Sequence, residues 1–195
     1  MSGPIHPYLA IHWRLESVPL ASLPQCAVTL VDKLAEILST SSNGTASSRN
    51  EIKTVWLATD YPYPVSSSGG FQESRRRSGT LKSIAPEHVE AISVLKDAFR
   101  RGGKLHGWYL TDISARLQSL NPEQRDNELG YTKLLEDEGV VGILDKIIAT
   151  DADIFISGAK GCGRASSFTK QIIDARNTSM ENGDGRLQNI VELFG

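Results

Sequence analysis

A chain of 195 residues with 39% hydrophobic content can bury one core of ordinary size, and its formal net charge of −2 removes the electrostatic reason to expect nucleic acid or an anionic membrane surface as partner. Two cysteines, Cys26 and Cys162, are too few for a disulfide scaffold and lack metal-ligand spacing, which leaves one bridge or two thiols open. No window approaches the ~20 apolar residues of a membrane-spanning helix, so no membrane segment is expected, and Met1 is followed by no charged region and apolar run of the export-signal kind.

In chain order, "YLAIHWRLE" (8–16) alternates and is rich in β-formers, which predicts a strand. Residues 25–38, "QCAVTLVDKLAEIL", place Val28, Val31, Leu34, Ala35 and Leu38 on one helical stripe, and the linker-like "STSSNGTASSRN" follows. "TVWLATD" (54–60) is a short apolar run with a polar end, the pattern of a buried parallel strand. The Pro/Ser/Gly-rich residues 61–85 read as a flexible loop, with Arg75, Arg76 and Arg77 as a solvated basic run within it. Pro86 suits a first helical turn, "EHVEAISVLKDAFR" continues the helix, Gly102 and Gly103 stop it, and "LHGWYL" is a short third strand. A helical pattern interrupted at Gly139 covers Gly130 to Thr150, then "DIFISG" (153–158) reads as a buried strand. "SSFTKQIIDAR" (166–176) reads as a helix capped by Ser166 or Ser167. Residues 177–195 form a polar tail expected to end in a short helix, "LQNIVELF"; Asn43 and Asn177 open glycosylation triplets of a kind common by chance.

Strands alternating with helices predict a single α/β domain over residues 1–195, a Rossmann-like parallel sheet with helices on both faces. Ligands of such sheets lie beyond the carboxyl ends of the strands, which selects Arg14 and Glu16, then Thr59 and Asp60, then the glycine loop after Phe155. His12 and Arg14 alternate with Ile11 and Trp13 and so leave one face of their strand. A guanidinium there offers a rigid fork of donors to phosphate oxygens, with a structural ion pair to Glu16 as the alternative. In "FISGAKGCGRASSFTK" a strand, a glycine turn and a capped helix start would present N–H groups and a positive dipole end to phosphate, Gly161 and Gly163 allowing close approach; the plainer reading is a turn whose serines cap the helix. Gly158 and Gly163 have P-loop spacing, but Arg164 and Ala165 stand where Lys and a hydroxyl are required, which argues against an NTPase. No G-x-G-x-x-G follows the first strand, which disfavours a dinucleotide oxidoreductase, and no clustered His/Cys set offers a metal site.

Taken together, "AIHWRLE", "VWLATD", "GILDKIIATDADIFISG" and "SSFTKQIIDAR" resemble, over residues 8–176, the C-terminal half of the GDP-fucose protein O-fucosyltransferase family in a fungal-type form. The resemblance implies the nucleotide-sugar-binding domain of a GT-B glycosyltransferase and a parent protein in the secretory pathway. It also implies inverting, metal-independent transfer of fucose from GDP-fucose to a hydroxyl of a protein or glycan acceptor. Carried over by position, the family's His-x-Arg motif falls on His12, Trp13 and Arg14, with Arg14 gripping the β-phosphate as the catalytic group. The family's nucleotide-contacting carboxylate falls on Asp145, for base or ribose, and its Ser-Ser/Thr-Phe run on Ser166, Ser167 and Phe168, the serines at the phosphates. Asp60 joins them as a residue lining the pocket. The plainer readings are an exposed helical acid for Asp145 and core packing for Phe168. The glycine loop is longer here than in better-known members, and the chain opens at the His-x-Arg strand with no room for a first domain, so a truncated form is expected. The other reading is a nonenzymatic Rossmann-like nucleotide-binding module or a degenerate fragment.

Overall fold

A computed structural model describes residues 7–42, 52–61, 81–113, 115, 137–164 and 166–195. The linker after Ser42 with the Asn43 triplet, most of the 61–85 loop with its arginine run, and the first part of the Gly130 to Thr150 pattern lie outside the described residues.

Strands β1 (Tyr8–Trp13), β2 (Thr54–Thr59), β3 (Tyr109–Thr111), β4 (Ile154–Gly158) and β5 (Gln188–Phe194) form one sheet. Its order is β3-β2-β1-β4-β5 and every pairing is parallel. The chain is therefore α/β with a Rossmann-like sheet, as its alternating pattern predicts. Helices α1 (Leu23–Ser42), α2 (Pro86–Phe99), α3 (Glu138–Asp151) and α4 (Ser167–Glu181) supply the connections.

Side chains of β1 alternate between the two helix layers, as the period of a strand requires. Tyr8 sends its hydroxyl to the Ile148 carbonyl of α3, 2.8 Å, and His12 meets Thr169 of α4. On the opposite face Trp13 donates its indole N–H to the Cys162 carbonyl, 3.0 Å, and Cys162 is disulfide-bonded to Cys26 of α1. The two cysteines, open on spacing alone, thus form one bridge that ties α1 to the loop after β4. Burial on both faces explains why β1 reads as a nearly continuous apolar run.

Helix α1 buries Leu23, Ala27, Leu30, Leu34 and Leu38, with Val31 beside them, while Val28 is exposed. The stripe is thus rotated from the one drawn through Val28, because small Ala27 and the bridged Cys26 face the sheet instead. Pro86 opens α2, whose start is closed by the Ala85 N–H donating to His88 Nδ1, 3.0 Å. Asp137 caps α3 by accepting from Gly139 N, 2.8 Å, and Val140 N, 3.3 Å. Ser166 rather than Ser167 caps α4, accepting from Thr169 N, 3.1 Å.

The tail departs from expectation. Residues read as a terminal helix form β5, hydrogen-bonded along the open edge of β4. Leu187, Ile190, Val191 and Phe194 stand at the i, i+3, i+4, i+7 spacing of a helix. An unpaired β4 edge offers these β-formers a ladder, and the tertiary pairing overrides the local period.

Arg176 of α4 is fully buried and closes the far end of the domain. Its guanidinium donates to the carbonyls of Ala149, Thr150 and Ala152 at the C-terminus of α3, and to those of Asp153 and Gln188 at the starts of β4 and β5. The carbonyls left over by the end of α3 and the negative end of its dipole thus find a cation. Burial pulls the Arg176 guanidinium down to about 10, still charged at neutral pH.

Replacing Arg176 by Leu should lower unfolding stability by about 3–5 kcal/mol in urea titration, because several buried acceptors lose their donor together. Arg176→Lys, with three donors on a flexible stem, should lose less. A cost below about 1 kcal/mol for the leucine variant would show that water reaches these carbonyls instead.

Candidate functional site

Strand order fixes where a ligand can enter. β1 lies between β2 and β4, and the chain leaves β1 through α1 on one face but leaves β4 through α4 on the other, so a crevice opens beyond the carboxyl ends of β1 and β4.

Two adjoining cavities occupy that crevice. The first, of about 160 Å³, is lined by His12 and Arg14 beyond β1, Ser157 and Gly158 at the end of β4, Gly163 and Arg164 of the loop, Thr169 and Ile173 of α4, and Val191 and Glu192 of β5. The second, of about 210 Å³, is lined by Arg14, Glu16, Ser17, Arg164, Ser166 and Ser167. Arg14 and Arg164 belong to both. Each cavity is smaller than the ~300 Å³ at which drug-sized sites begin, so a ligand of that size needs both, and Arg14 and Arg164 are the residues the two share.

His12 and Arg14 leave β1 on the same side and line the first cavity together. His12 Nδ1 lies 3.0 Å from Thr169 Oγ1, which lies 2.9 Å from the capping Ser166 Oγ. The His12 ring also rests against Phe168, centroids 4.9 Å apart. This chain of contacts fixes the start of α4 beside the end of β1. Ser166 Oγ occupies Thr169 N and Ser166 O accepts Lys170 N, whereas the N–H groups of Ser167 and Phe168 meet no acceptor among the described residues. An anion at the mouth of α4 would find those two N–H groups and the positive end of the dipole.

Arg14 is ion-paired with Glu16, both partly exposed. Five donors on a guanidinium exceed what one carboxylate takes, so the pair coexists with a further oxygen ligand. Arg164 is exposed and makes no ion pair or hydrogen bond among the described residues.

Other residues singled out in the sequence sit elsewhere. Trp13 is fully buried, edge-on to Phe194 at 5.8 Å, and belongs to the core. Asp60 is buried and lines neither cavity; its carboxylate accepts Leu15 N, 2.8 Å, and Glu16 N, 3.1 Å, and so shapes the turn that carries Arg14. Burial pushes the Asp60 carboxyl up, and the two backbone donors pull against that. Asp145 is buried in α3, which sets aside the exposed-acid reading, and lines neither cavity. Phe168 is half-buried, packed both on His12 and against the core. Thr169, Ser157, Arg164 and Glu192 line the first cavity without having been singled out. For Arg164, charge next to a glycine turn was the available signal; for Glu192, misreading β5 as a helix hid it.

The glycine loop is less of a cradle than its composition suggests. Cys162 N and Gly163 N both donate to the Ala159 carbonyl, at 3.1 and 2.7 Å. A Cβ on Gly163 would lie 2.8 Å from the Gly158 carbonyl oxygen, so that glycine admits the loop's own backbone rather than a ligand, and Gly161 serves a left-handed turn with φ of 106°. Asp151 and Asp153 have Asp-x-Asp spacing, but Arg186 pairs with both and Asp153 also holds the Tyr8 N–H at the amino end of the sheet, away from the crevice. Among the described residues no group of His, Cys, Asp and Glu could hold a metal ion, and no helix is long and apolar enough to cross a membrane.

Gly163→Ala should cost about 1–3 kcal/mol, as overpacking against backbone does, read as a lowered midpoint in thermal unfolding. A neutral result would mean that the loop is free to open. No protein-family model matches this chain and no curated protein matches it, so the function rests on the crevice and its chemistry.

Proposed function

We propose that this domain binds a nucleoside diphosphate sugar, with GDP-fucose as the donor, and that it serves O-fucosyl transfer to an acceptor hydroxyl. The observation that carries the reading is that two arginines, Arg14 and Arg164, line the crevice at the switch point of a parallel sheet together with the start of α4, where the N–H groups of Ser167 and Phe168 meet no acceptor among the described residues. Such a set of donors suits a diphosphate. Guanine and fucose come from the resemblance of the His12–Arg14, Asp145 and Ser166–Phe168 segments to the O-fucosyltransferases.

In the proposed reaction the acceptor oxygen attacks the anomeric carbon from the face opposite the diphosphate. A new carbon–oxygen bond forms, the bond to the β-phosphate oxygen breaks, and the acceptor's proton passes to a base outside this site. Negative charge grows on the departing oxygen, and a guanidinium already in position stabilises that charge more than it stabilises the bound donor. Arg14 takes this role, Arg164 neutralises the diphosphate, and the start of α4 holds the remaining oxygens. His12 is a positioning residue that holds α4 against β1 through Thr169. A bridged Cys26–Cys162 pair fits the oxidising compartment of a secretory protein.

A second reading, a nonenzymatic nucleotide-binding module, draws on the Arg14–Glu16 pair and on the loop N–H groups spent on Ala159. It shares the ligand and differs only in the absence of turnover.

Calorimetry with GDP separates these readings from a merely structural crevice. Arg14→Ala should weaken GDP by about 2 kcal/mol, the order of hydrogen bonds to a charged group. Glu16→Gln, which releases Arg14 from its carboxylate, should move the affinity the other way. Should ADP bind as tightly as GDP, the guanine-nucleotide donor is wrong. If GDP-fucose binds but is never consumed when acceptors are offered, the nonenzymatic module stands.

A further inference from the structure

Glu192 holds a backbone conformation that its residue type rarely adopts. Its φ is 56°, and it is the only non-glycine residue with positive φ among those described. It sits where the pairing of β4 with β5 goes out of step: β4 advances from Ile156 to Gly158 while β5 advances from Ile190 to Phe194. The extra residues form a bulge between those pairs. Glu192 N donates to Ser157 Oγ, 3.5 Å, and Ser157 is the neighbour of His12 across the β1–β4 ladder. Bulges of this kind re-aim a side chain, and strained residues gather at ligand sites.

The exposed Glu192 lines the first cavity together with Arg14 and Arg164, yet its carboxylate makes no hydrogen bond or ion pair among the described residues. Opposite charges that share a cavity without joining leave a gap between them. A carboxylate is also out of place in a site built for phosphate alone, since it repels the ligand. It becomes favourable only where the ligand presents donors beside its phosphate, because an ionised carboxylate only accepts. Two carboxylate oxygens match two adjacent hydroxyl groups.

We infer that Glu192 is a specificity-determining residue that receives a vicinal diol attached to a phosphate held by Arg14 and Arg164. This deepens the nucleotide-sugar reading, on which the choice of ligands below rests. The diol can come from the ribose of the nucleotide or from the transferred sugar, and the test distinguishes them.

Glycine is the natural occupant of φ near 56°, so Glu192→Gly removes the carboxylate without straining the bulge. Binding of pyrophosphate, GDP, 2′,3′-dideoxy-GDP and GDP-fucose is measured by calorimetry on the whole chain and on this variant. Pyrophosphate should bind the variant as well as the parent or more tightly, which also reports that the pocket is intact. The affinity of the diol-bearing ligand should fall about tenfold, as when a charged hydrogen-bond acceptor is lost. A fall for GDP with none for the dideoxy ligand assigns the ribose; a fall for GDP-fucose with none for GDP assigns the sugar. Equal losses for pyrophosphate and the other ligands, or no loss for any, overturn the inference, as does failure of every ligand to bind the parent chain. ADP serves as a further ligand: if it matches GDP on both proteins and shows the same dependence on Glu192, the diol contact stands while the fucosyl-donor reading falls.

Discussion

The gap at the carboxyl end of β1 and β4 is the constraint from which the site follows. Parallel pairing forces every connection to cross the sheet, and the order β3-β2-β1-β4-β5 makes the crossovers part company on either side of β1. No side chain needs to be chosen for binding to create this crevice. What the sequence adds is its lining: Arg14 after the central strand, Arg164 after its neighbour, and a helix start held in place by Ser166, Thr169 and His12. Arg14 follows directly on the central strand, whereas Arg164 is carried by a loop whose turn is closed by the Ala159 carbonyl.

At the opposite end of the sheet the molecule deals with a different problem. Helix α3 ends against the starts of β4 and β5, and carbonyl groups buried there have no helical partner. Arg176 gathers them around one guanidinium, with the ring of Phe155 5.8 Å away. Arginine therefore has two uses in one domain. Buried and surrounded by neutral acceptors, it is an internal strut; at the crevice, beside water, it is the group on which the proposed anion binding rests.

Much of this architecture is legible from residues alone because fully buried strands read as apolar runs and Gly or Pro marks most breaks. "LAIHW", "TVWLAT" and "IFIS" announce β1, β2 and β4 in this way, and the pairing of His12 with Arg14 on one face follows from strand period. Trp13, Asp60 and Asp145 show where motif reading stops: a motif says which residues belong together in a chain, not which of them face solvent. Arg176 and Asp60 act on backbone groups that no pattern reveals. β5 was hidden because a bulge breaks its alternation while the spacing of its apolar residues imitates a helix. The residue with the strained backbone is thus the one that the sequence concealed best.

The bridge from Cys26 to Cys162 has one more consequence. It staples the first helix to the loop behind the fourth strand across 136 positions of sequence, so residues 26–162 form one covalent ring, while β1, α4 and β5 hang from it as open arms. A protease that cut the backbone anywhere inside that ring would leave a single molecule of unchanged mass apart from one added water, and the halves would separate only under reducing conditions.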